Sequence, residues 1–129
     1  MIIKIYQINS RRDEKRVKFL QYKQLENFQA TKDINASIYD EVFSGNVDCE
    51  NPEDIYRKFN TDGHPLHRGH SLSVSDIVVT TDGAYYCDSV GFKKVDFDES
   101  KTQKPDNLMA VVYGAMDLSE IIFGNDFLI

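Results

Sequence analysis

The three histidines of the chain, His64, His67 and His70, lie within seven residues of one another. Imidazole is the commonest side-chain ligand of transition metals, so this cluster is the first candidate for chemistry. A three-residue spacing brings the rings together on a helix, but Pro65 and Gly69 both disfavour a helix here. We therefore expect an exposed loop with one ring hydrogen-bonded to a neighbour, and we expect neither a metal site nor a cofactor.

Catalysis at the end of this loop is a second hypothesis. His70 could act as a general base and Arg68 could neutralise a phosphate in RNA cleavage, with Asp76 or Asp88 as the acidic partner. Serines also follow His70, but no G-x-S-x-G turn is present, which disfavours a hydrolase. The structural alternative is that an ion pair of Arg68 with an aspartate and hydrogen bonds of His70 hold the loop against the next hairpin. We favour this alternative.

Acidic side chains are the other group that could bind a partner. The chain has 21 acidic and 15 basic residues and a formal charge of −6. Such a surface repels phosphate backbones, so we expect no direct binding of free nucleic acid. It suits a basic protein surface, including one that normally holds nucleic acid. The candidate contacts are Asp48, Glu50, Glu53, Asp54, Asp96, Asp98 and Glu99, with Phe127 near the apolar C-terminus as a hydrophobic anchor.

The clearest helix that could position these residues is predicted over residues 51–60. Asn51 is a suitable N-cap, and Pro52 fits the first helical position, where no N–H is needed. Two acidic residues follow in the first turn, which suits the helix dipole. The predicted buried side of the helix consists of Ile55, Tyr56 and Phe59.

The pattern changes from helix to strand after the histidine loop. Residues 73–80 and 84–88 predict two strands, because both runs are β-rich and the Asp82-Gly83 pair between them is a strong hairpin signal. Residues 92–97 predict a third strand, which completes a small antiparallel meander.

The N-terminal part predicts further strands and a short helix. Residues 1–8 alternate, with Ile3, Ile5 and Gln7 on one face of a strand. Residues 39–43 predict another strand and residues 22–29 a two-turn helix, while residues 17–20 and 47–49 are compatible with short strands. We therefore predict an α+β fold, a small and mostly antiparallel sheet with one or two short helices packed on it. We expect a single domain over residues 1–129, with a polar linker at 98–107 and an apolar C-terminal segment at 108–129.

The chain has the features of a cytoplasmic protein. No apolar run approaches the ~20 residues of a membrane span, and the N-terminus lacks the pattern of a signal peptide. Its two cysteines form no C-x-x-C pair, so we expect two reduced thiols.

Three runs, DIYRKFN, RGHSLSVSDIVV and AYYCDSVGFKKV, resemble the YodL-like domain family. The resemblance covers residues 36–97 well, covers the N-terminal part weakly, and leaves out residues 108–129. The family consists of small domains from Gram-positive bacteria and their conjugative elements, found alone or inside large mobile-element proteins. It implies no catalytic residues.

The family context implies an accessory protein of a mobile element, and some proteins of this kind resemble inhibitors of type II CRISPR effector nucleases. We therefore expect a non-enzymatic anti-CRISPR protein in the bacterial cytoplasm. It would bind the effector or its guide-RNA complex and block guide-RNA loading or target-DNA binding. Two alternatives stay open. One is an RNA-processing enzyme, or a trigger of guide-RNA truncation, that uses residues 68–70; the other is a general protein-docking module of a conjugative element.

Overall fold

The computed structural model describes residues 1–61, 64 and 66–104 of the chain. Their fold is α+β, as predicted, with one five-stranded antiparallel sheet in the order β2-β1-β3-β4-β5. The strands are β1 (Ile2–Ile8), β2 (Tyr39–Asn46), β3 (Ile77–Thr80), β4 (Gly83–Cys87) and β5 (Phe92–Val95). Two α-helices, α1 (Leu25–Gln29) and α2 (Pro52–Thr61), accompany the sheet.

The first strand, β1, lies between β2 and β3 and contributes to both faces of the sheet. Its alternation is as predicted: Ile3 and Ile5 belong to one apolar cluster, and Tyr6 and Ile8 to the other. All four side chains are buried. Because both faces are covered, β1 is the strand around which the core is built.

Helix α2 covers the first face of the sheet. Ile55 and Phe59 join Ile3 and Ile5 in the first cluster, and the side chain of Asn51 accepts the N–H of Asp54 at 2.8 Å, as expected of an N-cap. The prediction for Tyr56 is wrong, since its side chain is 42% exposed. The apolar side of α2 is therefore narrower than the sequence pattern indicates.

The second face is covered by the segment between β1 and β2 and by the chain after β5. The ring centroids of Tyr6 and Tyr39 lie 5.0 and 5.3 Å from that of Phe97. Beyond it, the Tyr6 hydroxyl donates to Glu99 at 2.6 Å, and Gln103 pairs with the outer edge of β2 beside Asp40. The chain from β5 thus crosses the sheet from one edge to the other.

Some local predictions for the connecting segments are wrong. Residues 17–20 form no strand, because Phe19 has a left-handed backbone with φ 71°. Residues 47–49 also lie outside any strand. The helix predicted at 22–29 is present as a 3-10 turn, Tyr22–Gln24, followed by α1, and Phe28 is exposed on it. The predictions for residues 105–129 lie outside the described part of the chain.

Candidate functional site

Two of the three histidines in the loop after α2 pack on its last buried aromatic residue. His64 stacks on Phe59 with ring centroids 6.1 Å apart, and His67 meets the same ring edge-on at 5.2 Å. Burial lowers the pKa of His67, which favours its neutral form. No group of three side chains that could hold a metal ion occurs among residues 1–61, 64 and 66–104. These two rings act as part of the apolar packing.

The third histidine is held through its backbone by Gln7. The Gln7 amide nitrogen donates to the carbonyl oxygen of His70 at 2.8 Å, and the Gln7 amide oxygen accepts the N–H of His70 at 3.1 Å. A Cβ atom at Gly69 would overlap that amide oxygen, so the loop approaches Gln7 as closely as glycine permits. Gln7 was not among the predicted site residues. Its only sequence signal was a polar side chain on the apolar face of a predicted strand.

Asp76 is the buried acid of the same network. Its side chain is 1% exposed and accepts hydrogen bonds from the Ser73 N–H at 2.7 Å and from Gln7 at 3.0 Å. Burial raises the pKa of Asp76 to about 8, although these two hydrogen bonds act in the opposite direction. Asp76 thus closes the turn before β3 and connects it, through Gln7, to the histidine loop.

The other members of the proposed catalytic set do not converge on this carboxyl group. The His70 Nδ1 atom lies 2.6 Å from the carbonyl oxygen of Ser71, and its Nε2 atom is buried with no hydrogen-bond partner in the described part of the chain. Arg68 donates its backbone N–H to Val42 at 2.9 Å. Among the described residues, its exposed guanidinium group makes no ion pair. The loop is anchored by backbone bonds, without the Arg68–aspartate pair of the structural alternative.

Asp88 lies at the far end of β4 and serves the backbone. Its Oδ1 atom accepts the N–H groups of Tyr22 at 3.2 Å and Ser89 at 2.8 Å. These bonds fix the turn between β4 and β5 against the segment that leads into α1. In this arrangement Asp88 has no hydrogen bond to the histidine loop within residues 1–61, 64 and 66–104.

Three of the predicted partner-binding acids are engaged within the chain. Asp54 pairs with Arg57 at 2.9 Å, and Asp98 accepts the N–H of Ser100 at 3.1 Å. Glu99 accepts from the Tyr6 hydroxyl at 2.6 Å. Their carboxylates are therefore less available to a partner than the sequence alone indicates.

Four other predicted acids remain open to solvent. Asp48, Glu50 and Glu53 are exposed at the start of α2, and we refer to these three residues as the acidic surface. Asp96 is exposed after β5. Within the described part of the chain, the side chains of these four residues make no hydrogen bond or ion pair. Phe127 lies outside the described residues.

A groove of 470 Å³ lies next to the acidic surface, between α2 and the turn that joins β4 to β5. Its two aromatic walls are Tyr56 and Phe92, whose ring centroids are 6.4 Å apart at an interplanar angle of 79°. The lining also includes two carboxyl groups, those of Glu53 and Asp88. The groove therefore combines apolar walls with negative charge.

The family model that matches this chain is that of the YodL-like domain, over residues 2–97. The chain belongs to the YodL-like domain family. The match begins with β1 and ends after β5, so it includes the N-terminal part, where the resemblance from sequence alone was weak.

The YodL-like domain therefore contains Gln7, the histidine loop, Asp76, the acidic surface and the groove, whereas Glu99 and Phe127 lie beyond the match.

Comparisons with curated proteins and with solved structures gave no match. Among the described residues, no helix has the length and apolar character that crossing a membrane requires.

Proposed function

We propose that this YodL-like domain is a non-enzymatic protein of a mobile element that inhibits a type II CRISPR effector nuclease by binding to it. The observation that carries the proposal is the acidic surface, three exposed carboxylates at the start of α2 without a partner in the described part of the chain. The family context inferred from the sequence adds the link to mobile elements. Both lead to a binding function for the domain.

The predicted catalytic residues favour binding over catalysis. The His70 Nδ1 atom is engaged with a backbone carbonyl group, and Asp76 accepts two hydrogen bonds inside the fold. A general base must reach the proton that it removes, either directly or through one water molecule. His70 and Asp76 do not form a hydrogen-bonded His–Asp pair that could act on a substrate. The RNA-processing alternative therefore has little support from this geometry.

The charge of the acidic surface indicates how the inhibitor would act. An effector that binds guide RNA and target DNA has positively charged channels for them. Carboxylates that enter such a channel compete with phosphates and prevent guide-RNA loading or target-DNA binding. Complementary charge would raise the rate of association, and this contribution would fall as salt is added.

The proposal is tested by mixing the native protein with a type II effector, its guide RNA and target DNA. Target cleavage and guide-RNA integrity are then measured in the same tubes. Blocked cleavage with an intact guide supports the proposal. Blocked cleavage with a shortened guide supports the RNA-processing alternative, and unimpaired cleavage overturns the proposal for that effector and leaves the general docking module.

A charge reversal at the acidic surface makes the test specific. We expect Glu53→Lys to weaken binding to the effector about tenfold at low salt, equivalent to about 1.4 kcal/mol. Glu26→Lys, at an exposed position of α1 outside the acidic surface, is the matched control. Equal losses in the two variants, or an affinity that does not change with salt, would contradict binding through the acidic surface.

A further inference from the structure

The groove between α2 and the β4–β5 turn has two aromatic walls, and the proposed function does not assign a ligand to it. Tyr56 and Phe92 stand nearly perpendicular to each other, and Tyr56 is 42% exposed. Val74 and Cys87 contribute further apolar lining. A planar group that entered the groove would contact the face or edge of an aromatic ring.

Two carboxyl groups of the groove have free acceptor capacity. The side chain of Glu53 makes no hydrogen bond or ion pair within residues 1–61, 64 and 66–104, and the residue is exposed. Asp88 uses only its Oδ1 atom, which accepts two backbone N–H groups, and this leaves Oδ2 available among the described residues. Both carboxyl groups line the same groove, and Arg57 is the one cationic residue among the described residues of its lining.

Arg57 also lines the groove, but its charge is already engaged. Its Nη1 atom lies 2.9 Å from Asp54 Oδ1, so this pair of residues is neutral as a unit. Among the described residues of the lining, the remaining charge is that of Glu53 and Asp88. Negative lining disfavours phosphate-bearing ligands such as nucleotides and favours a cation.

Aromatic walls together with carboxylates match the chemistry of a guanidinium group. The planar face of the arginine guanidinium group stacks on aromatic rings, and its edge donates two parallel hydrogen bonds to a carboxylate. Lysine offers a compact charge that uses the flat walls less well. We propose that the groove binds an arginine side chain of the basic partner protein, with Tyr56 and Phe92 as its walls and Glu53 and Asp88 as its acceptors.

The arginine site adds a specific contact to the proposed function. It rests on that function, because the partner protein would supply the arginine. Glu53 belongs to both the acidic surface and the groove, so one partner could contact both at once. The acidic surface would attract the basic partner, and the groove would hold one side chain in a defined position. A burial of this kind is how single residues come to dominate the affinity of an interface.

The site is tested without the effector, by titrating the ¹⁵N-labelled full-length protein with the peptide Ac-Gly-Arg-Gly-NH2. The matched ligand is the same peptide with citrulline, which keeps the planar shape of arginine and lacks its charge. We expect the arginine peptide to shift the amide signals of Tyr56, Asp88 and Phe92 with millimolar affinity. The citrulline peptide should bind at least about tenfold more weakly, a difference of about 1.4 kcal/mol.

Two variants decide which residues hold the arginine. Tyr56→Ala and Glu53→Gln should each weaken the response to the arginine peptide at least about threefold, whereas Glu26→Gln should leave it unchanged. Tyr56 and Glu53 are exposed, and the dispersion of the amide spectrum verifies that each variant folds. Equal shifts from the two peptides, or shifts confined to other parts of the molecule, would overturn the site.

The outcomes separate this site from the proposed function. If the arginine peptide binds but no effector is inhibited, the groove stands and the proposed partner is wrong. If Tyr56→Ala abolishes peptide binding and still inhibits the effector with native affinity, the groove plays no part in inhibition and the inference is overturned. The proposed function survives that second result.

Discussion

The Nε2 atom of Gln7 lies 3.0 Å from Oδ2 of Asp76, so a side chain of the first strand holds the acid that closes the turn before β3. The same nitrogen lies 2.8 Å from the carbonyl oxygen of His70. One buried amide thus ties the first strand to the histidine loop and to the turn before β3, which lie 63 and 69 positions away in the sequence. Buried polar groups that satisfy one another in this way fix a unique arrangement, and the loss of any one leaves the others unpaired.

The raised pKa of Asp76 predicts how stability depends on pH. The pKa is about 8 in the folded state and about 4 in the unfolded chain, so between these values the folded protein holds more protons. The free energy of unfolding therefore falls as the pH rises from about 4 to about 8. We expect this decline to be smaller in Asp76→Asn, as measured by urea denaturation at several pH values.

The control for Asp76 is Asp33→Asn, at an exposed position. It should keep the native slope across the same pH range. His67 contributes with the opposite sign, since its lowered pKa costs stability as the pH falls below about 6.5. That contribution is present in all three proteins and cancels in the comparison. Identical slopes in the native protein and Asp76→Asn would show that Asp76 ionises normally.

The close approach of Gly69 to Gln7 predicts a coupled pair of mutations. Gly69→Ala forces the Gln7 amide to move, which breaks its bonds to His70, and we expect a loss of about 1–3 kcal/mol of stability. In a Gln7→Ala background the same substitution should cost less, because the overlapping oxygen is gone. Denaturation of the four proteins of this cycle measures the coupling. Strictly additive losses would contradict it.

The Tyr39 hydroxyl predicts a further loss of stability. It donates to the carbonyl oxygen of Ser75 at 2.6 Å in a buried position, and Ser75 has a left-handed backbone with φ 85°. Tyr39→Phe leaves that carbonyl group without this donor, so we expect a loss of about 1–3 kcal/mol. Tyr85→Phe is the matched control, because the Tyr85 hydroxyl makes no hydrogen bond among the described residues. Comparable losses of stability in both variants would show that the hydrogen bond from Tyr39 to Ser75 does not contribute measurably to the free energy of unfolding.

His70→Ala separates the binding and RNA-processing hypotheses. The loop is held through the backbone of His70, so we expect the variant to keep its fold and to inhibit the effector as the native protein does. Guide-RNA integrity and target cleavage, measured together, check this expectation. If the native protein shortened the guide and His70→Ala left it intact, the result would support the alternative of an RNA-processing enzyme or a trigger of guide-RNA truncation.

The elements with strong local signals were predictable from sequence. The N-cap at Asn51 and the Asp82-Gly83 pair determine their own helix end and turn, and the structure has α2 and the β3–β4 hairpin at these places. Alternation in residues 1–8 likewise predicted β1. Each of these signals depends on neighbouring residues, which is why the sequence shows it directly.

The features that depend on distant contacts were not predictable in the same way. Gln7 and Asp76 are 69 positions apart, and neither residue type alone indicates the other. The sequence around Phe19 was compatible with a strand, but the backbone of Phe19 is left-handed in the structure. Its N–H donates to the Ser75 hydroxyl, 56 positions away, and the local sequence does not show this contact. The groove needs Tyr56 and Phe92 from separate elements, and the sequence pattern had assigned Tyr56 to the core.

The crossing of the sheet by residues after β5 has a consequence for how the protein is made. Of the described strands, β1 is synthesised first and becomes an interior strand of the sheet, and one of its partners, β3, follows about 70 residues later in synthesis. The bond from Tyr6 to Glu99 spans 93 positions. Long-range pairing of this kind slows folding, because the chain loses the entropy of closing a long loop before the stabilising contacts form. The nascent chain therefore completes its sheet only when nearly all of the described sequence has been translated.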